Sequence, residues 1–237
     1  MKTRIIDILI FISCIVLVLT CVFFVKAYKD YEVASSNYSN VYEQVIIASS
    51  EENERIINFD ILHEESHSSC SWIYVPDTNI DYPLVQAADN EYYLTRDAFG
   101  NNSKNGAIFI NCENNNDMQD NKTIIYGHNM NNGTMFHDLH KYIDNDFAIS
   151  HSNLFIYMDD KSVKEYELYC VAKVDKEDLS IYALNPDETI SDIASYLNII
   201  SDSTYAQNQG QKFVILSTCI QDRDRRIVVF QEKKEEH

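Results

Sequence analysis

The sequence predicts a mainly β domain held behind one membrane-spanning helix. Two observations carry this. From Ser71 onward, short runs of β-branched and aromatic residues alternate with turn-forming clusters. Near the N-terminus, Ile8 to Val25 reads ILIFISCIVLVLTCVFFV, 18 residues without a charge. At about 1.5 Å per residue such a run just crosses a hydrocarbon core of roughly 30 Å.

Lys2 and Arg4 precede the apolar run and favour a cytoplasmic N-terminus, although Lys26 and Lys29 behind it weaken the asymmetry. A cleaved signal peptide is the rival reading, but KAYKDYEVASS offers no convincing small-x-small site after the run. A buried core helix fits less well, because no polar face interrupts the run. The expected division is therefore a tip and anchor over 1–26, a helical membrane-proximal lead-in over 27–69 and a folded outer domain over 70–237. In the lead-in, Tyr38, Tyr42, Val45 and Ile46 fall three or four apart, as on one face of a helix.

The β-prone runs are SWIYV, NIDYPLV, GAIFI, KTIIY, NLFIYM, YELYCVAKV, KFVILST and RRIVVFQ, eight in all. The last two are joined by the polar CIQDRD turn. Helical spacing interrupts them in DNEYYLTRD and in TMFHDLHKYI, where Met135, Phe136, Leu139 and Tyr142 share a face. It recurs in PDETISDIASYLNII, through Ile190, Ile193, Ala194 and Leu197, and predicts an inserted helix before the KFVILST strand. Eight strands with few helices predict a closed or sandwich-like β fold.

The chain has 237 residues, with 19 Lys plus Arg against 37 Asp plus Glu and a net charge of −18. Without a basic stripe, that balance disfavours a nucleic-acid partner. No HExxH, CxxC or EF-hand spacing points to a metal, and no cofactor is expected. Cys70, Cys112, Cys170 and Cys219 lie beyond the anchor at spacings of 42, 58 and 49 residues, which match no compact zinc or disulfide pattern.

Cys219 follows a predicted strand and precedes a charged turn, a place where a thiol can meet a substrate. A cysteine in a strand is also an ordinary small hydrophobe, the role assigned here to Cys70, Cys112 and Cys170. His128 lies in IIYGHNMNNG, again where an apolar strand empties into a loop, and its plainer reading is a residue shaping the Asn-rich turn. An imidazole beside a thiol raises the thiolate fraction and supplies an acid for a leaving amine. Arg226 begins the last strand, and in a tight hairpin it returns beside Cys219 to stabilise an oxyanion. Arg223 and Arg225 compete for that place by distance. Strand alternation puts Arg226, Val228 and Phe230 on one face and leaves open which face looks inward. Asp222 and Asp224 read as a solvated turn.

LSTC at 216–219, YGHNM at 126–130 and RRIVV at 225–229 resemble the three active-site segments of sortases, cysteine transpeptidases of Gram-positive cell envelopes. WIYVPDTNIDYPLVQAADNEYYLTRDAFG at 72–100 resembles the segment typical of class B members, and GAIFIN and GTMFHDLHKY continue the likeness. Ile215 stands where the family often has Thr, just ahead of the LSTC core. The resemblance covers about 70–231 and implies an eight-stranded sortase-type β-barrel. It implies Cys219 as nucleophile, His128 as acid/base and Arg226 as the transition-state-stabilising residue. Ser217 and Thr218, together with Asn129 and Met130, match family residues around the substrate groove. The implied reaction cleaves a C-terminal sorting motif of a secreted protein after Thr, through a thioester, and transfers it to a peptidoglycan amine. A hydrolytic peptidase on the same fold and a catalytically silent surface binding module are the alternatives.

Overall fold

The computed structural model describes residues 2–49, 55–175, 177–197, 211–221 and 224–233. The turn residues Asp222 and Arg223, and the end of the insertion at 198–210, lie outside the described residues. The chain divides into two units, 1–40 and 41–237.

The first unit holds most of α1 (Lys2–Val45). Its Leu9–Lys26 stretch has a mean hydropathy of 2.8 and none of it is buried, so this one helix is long and apolar enough to cross a membrane.

The second unit begins with the last turn of α1, where Val41 and Val45 are buried. The strands β1 (Ile46–Ser49) and β2 (Arg55–Ile57) follow as an antiparallel pair inside the segment expected to be helical. Next comes α2 (Phe59–Glu65), whose cap Asn58 accepts a hydrogen bond from the Ile61 amide at 3.2 Å. Val41, Val45, Phe59 and Leu62 pack on Trp72, Tyr74 and Tyr157, which ties this lead-in to the barrel. Arg55 clamps the contact: its guanidinium lies 3.6 Å from the Tyr74 ring centroid and donates to Asp81 at 2.5 Å. Asp81 also accepts from the Trp72 indole at 2.7 Å.

The expected eight strands are β3 (Ser69–Tyr74), β4 (Asp81–Val85), β5 (Ile108–Ile110), β6 (Lys122–Tyr126), β7 (Asn153–Met158), β8 (Val163–Asp175), β9 (Phe213–Gln221) and β10 (Asp224–Glu232). They close into a barrel in the order β10-β8-β7-β3-β4-β5-β6-β9, with β9 also pairing β10. Two pairs are parallel, β4 with β5 and β6 with β9, and the others are antiparallel. Parallel neighbours require long crossovers. The crossover from β4 to β5 contains only a 3-10 turn at Tyr92–Leu94, where DNEYYLTRD predicts a helix. TMFHDLHKYI likewise forms a 3-10 helix, His137–Ile143. Its expected apolar face is nevertheless the buried one, since Met135, Phe136, Leu139 and Tyr142 are at most 1% exposed. An i, i+3 stripe suits a 3-10 turn as well as an α-helix. The short α3 (Asn145–Ser150) then starts on its Asp144 cap.

Between β8 and β9, the insertion carries α4 (Ile190–Tyr196), started by a capping box between Thr189 and Asp192. Ile181, Ile190, Ile193 and Leu197 pack against Ile124, Phe213, Ile215, Ile227 and Val229, so the insertion covers the face made by β6, β9 and β10. Lys122 fastens it. That side chain is 1% exposed, pairs with Glu188 and donates to the Ile181 carbonyl at 3.2 Å.

Removing one partner of a buried ion pair strands the other charge, at about 3 kcal/mol or more. Glu188→Ala should therefore lower the unfolding free energy of the protein by about 3 kcal/mol, read from chemical denaturation. Burial pushes the Cys170 thiol from 9.0 up to about 12 and the Tyr157 phenol from 10.0 up to about 12. Both groups are neutral in folded and unfolded chains at low pH, and the unfolded chain ionises first as pH rises. Their contribution is thus complete below about pH 9 and is lost toward pH 12, so melting temperatures taken across that window should fall progressively.

Candidate active site

The site grows from the parallel pairing of β6 and β9. Each residue of β6 faces the residue 91 positions later on β9, from Lys122 with Phe213 to Tyr126 with Ser217, since 217 − 126 = 91. His128 and Cys219 differ by the same 91, and the Gly127 amide still donates to the Ser217 carbonyl at 3.2 Å. The shared register of β6 and β9 thus runs toward His128 and Cys219, two residues remote in sequence, each two positions beyond the last pair.

Cys219 is described in its backbone. It lies inside β9, which continues to Gln221, rather than at a strand end. Its partner across the β9–β10 hairpin is Arg225. Gln221 pairs with Asp224 and the next pair is Cys219 with Arg225, so Ile220 is skipped in the ladder. This bulge shifts the register by one residue. Regular pairing from Gln221 with Asp224 would have set Arg226 across from Cys219. With the bulge, Arg226 faces Thr218 instead.

His128 is held from three sides. Its Nε2 lies 2.8 Å from the Leu94 carbonyl oxygen, which can only accept, so Nε2 carries a proton and Nδ1 is the nitrogen left for proton transfer. Its own carbonyl accepts from the Phe136 amide at 2.9 Å. Its Cδ2 edge lies against Gly106, where an added Cβ would sit 2.8 Å away and only 2.7 Å from the Tyr93 carbonyl oxygen. Gly106 has φ +62°, a second reason for glycine there.

A cavity of about 620 Å³ opens beside these groups, lined in part by Leu94, His128, Ser217, Thr218 and Arg225. One wall is a run of rings: Phe109 to Tyr126 at 5.3 Å and Tyr126 to Tyr182 at 5.7 Å between centroids. The Tyr182 hydroxyl is 2.9 Å from Ser217 Oγ, and Asn111 donates to the Tyr126 hydroxyl at 3.1 Å. Burial pushes the Tyr126 phenol up to about 12, so it stays neutral near pH 7. The cavity lies between the barrel wall and the insertion, since Leu179, Tyr182 and Ala183 line it too.

Of the residues singled out in the sequence, His128, Ser217 and Thr218 line this cavity, while Asn129, Met130 and Arg226 do not. Asn129 bridges to Met135, and its side-chain oxygen is 3.0 Å from His137 Nδ1. The Met130 carbonyl accepts from the Gly133 amide at 2.9 Å, so both residues shape the loop after the histidine. Arg226 is 6% exposed, its Nε and Nη1 have no hydrogen-bond partner, and burial lowers its pKa. Asp224 pairs with Lys173 at 2.7 Å. Leu94, Gly106 and Tyr182 were not singled out: they come from crossovers remote in sequence, and no local motif marks them.

Gly106→Ala places a methyl group where the His128 ring lies. It should cut catalytic turnover at least tenfold while circular dichroism stays native, and Gly100→Ala, whose Cβ meets nothing within 4 Å, should not touch the ring.

Residues 73–234 match the family profile described as the sortase domain. Sortase B of Listeria monocytogenes is 37% identical over 158 residues, 65% of this chain, and the match spans 63% of that protein's length. In three dimensions, the structure of sortase B from Bacillus anthracis in complex with AAEK1 superposes with a TM-score of 0.70 at 26% identity, covering 88% of this chain and 100% of that one. A Listeria monocytogenes sortase B structure does so with a TM-score of 0.62 at 30% identity, over 74% of this chain and 99% of that one. An eight-stranded closed barrel in which β6 and β9 run parallel beside an insertion-walled cavity, together with the family match and these relatives, leaves one assignment: the chain belongs to the sortase family, among its class B members.

Proposed function

We propose that this protein is a cysteine transpeptidase that cleaves a C-terminal sorting motif of secreted proteins after Thr and joins them to a peptidoglycan amine. The observation that supports the proposal is the shared 91-residue offset: the parallel register of β6 and β9 holds as far as Tyr126 with Ser217, and His128 and Cys219 each follow two residues later. The Cys219 thiolate attacks the Thr carbonyl carbon, and the oxyanion that forms falls to Arg226 at the start of β10. The C–N bond breaks as His128 Nδ1 protonates the leaving amine, and a thioester remains. An amine of the cell wall then attacks the thioester carbon, loses a proton to His128 and expels the thiolate. Ser217 and Thr218 flank the acyl group, and Asn129 and Met130 shape the loop that presents His128. The Leu9–Lys26 helix anchors the chain with its N-terminus in the cytoplasm and residues 70–237, the catalytic domain, outside, behind the lead-in of 27–69.

The test uses the full chain in detergent, incubated with pentapeptides that carry Thr before the scissile bond and vary elsewhere, with and without glycine oligomers or diaminopimelate-containing peptides. Intact-mass spectrometry should find an acyl adduct on Cys219 and an amine-joined product. Both should vanish in Cys219→Ala, and His128→Ala should slow them at least hundredfold. Cleavage that no amine diverts marks a peptidase. A folded protein without adduct across the library marks a binding module.

A further inference from the structure

The His128 ring is tied to the rest of the site through a backbone carbonyl, that of Leu94, 2.8 Å from Nε2. A carbonyl points where its own backbone is held. This one ends a three-residue 3-10 turn, Tyr92–Leu94, in which the Leu94 amide donates back to the Glu91 carbonyl at 3.0 Å. A turn so short is weak by itself, because a first helical hydrogen bond must fix several dihedrals at once. Its geometry therefore depends on its anchors.

The middle of the turn is held by Tyr93, which is 3% exposed, lies 6.2 Å from the Phe109 ring between centroids, and accepts from the Ala107 amide at 3.0 Å. Its start is held by Asp89. One carboxylate oxygen, Oδ1, accepts from the amides of both Glu91 and Tyr92, each at 2.8 Å. These are donors that the beginning of a helical turn leaves without a partner, and an ionised acceptor binds them more strongly than a neutral one. The same two bonds hold the Asp89 carboxyl below the usual carboxylate range, with the Arg96 charge acting in the same direction. Asp89 itself is exposed and does not line the cavity, although its neighbour Asn90 does. What it does for the histidine passes through the turn.

We infer that Asp89 is a positioning residue for His128: by fixing the start of the Tyr92–Leu94 turn it holds the Leu94 carbonyl against Nε2, so that the proton stays on that nitrogen and Nδ1 is left to serve the leaving amine. The kinetic consequence rests on the transpeptidase reading, whereas the chain of hydrogen bonds from Asp89 to the ring does not. Asp89 touches no reacting atom and moves no proton. Without the Leu94 carbonyl the imidazole is free to turn, since Gly106 bounds the ring at its Cδ2 edge by contact alone.

The experiment compares the full-length wild type in detergent with Asp89→Ala, Asp89→Asn and, as a control, Asp160→Ala. Asparagine removes the charge but keeps a side-chain oxygen for the two amides, so it separates the hydrogen bonds from long-range electrostatics. Asp160 accepts from the Ser162 amide at 2.9 Å in the turn between β7 and β8 and does not line the cavity. Two readouts are taken: kcat and KM with the best pentapeptide of the Thr-containing library, and the Nδ1 and Nε2 chemical shifts of the neutral His128 ring, assigned by their loss in His128→Gln. The wild type should show the widely split shifts of a ring protonated at Nε2. Asp89→Ala should lower kcat about tenfold with KM within about threefold, and draw the two shifts together as the ring exchanges tautomers. Asp89→Asn and Asp160→Ala should keep the split shifts and a kcat within about twofold of wild type. Unchanged shifts or an unchanged kcat in Asp89→Ala, or an Asp89→Asn as impaired as Asp89→Ala, overturn the inference. A wild type that forms no Cys219 adduct with any peptide overturns the transpeptidase reading instead, and the ring shifts then still decide whether Asp89 positions the histidine.

Discussion

The parallel ladder between β6 and β9 is the constraint on which the site depends. It is the most distant strand pairing in the barrel, at an offset of 91 residues. Nothing local holds His128 near Cys219. Their proximity is a property of two strands whose residues Ile124, Ile125, Ile215 and Leu216 are all fully buried, so hydrophobic packing sets the register and the register sets the chemistry.

The insertion is coupled to the same seam from outside. Lys122 sits at the start of β6, four residues before Tyr126, and its ion pair with Glu188 pins the segment that supplies Tyr182 to the cavity. A lysine so buried is costly unless paired, and here the pairing joins two parts of the chain that local interactions would leave independent. The aromatic contacts of Tyr126 with Phe109 and Tyr182 continue that link across the cavity wall.

Much of this architecture was legible in the residues. All eight barrel strands appear as short β-prone runs because turn formers punctuate them, and α4 appears through its apolar spacing, although it starts at the Thr189 cap rather than at Pro186. The β1–β2 pair was not legible, being four and three residues long and partly exposed, too short for alternation to register. The 3-10 form of His137–Ile143 was hidden because the same i, i+3 stripe serves both helix types. Hardest of all was the register of the last hairpin, which sets Arg225 rather than Arg226 across from Cys219. It turns on one skipped residue, Ile220, and a bulge leaves no mark in hydrophobic periodicity. The supports of the histidine, Leu94 and Gly106, were equally silent because they reach it through a crossover more than 20 residues upstream.

Closure of the barrel governs how a peptide is read. Many proteins bind extended peptides by letting them add to an open sheet edge, where main-chain hydrogen bonds supply affinity for almost any sequence. Here every strand of the barrel already has a neighbour on both sides, so that generic mode has no edge to use. A peptide entering beside His128 must instead be held by side chains and loop carbonyls, among them Asn90, Glu113 and the ring of Tyr182. Affinity and selectivity then come from the same few contacts, and a chain with the wrong residues gains little from its backbone.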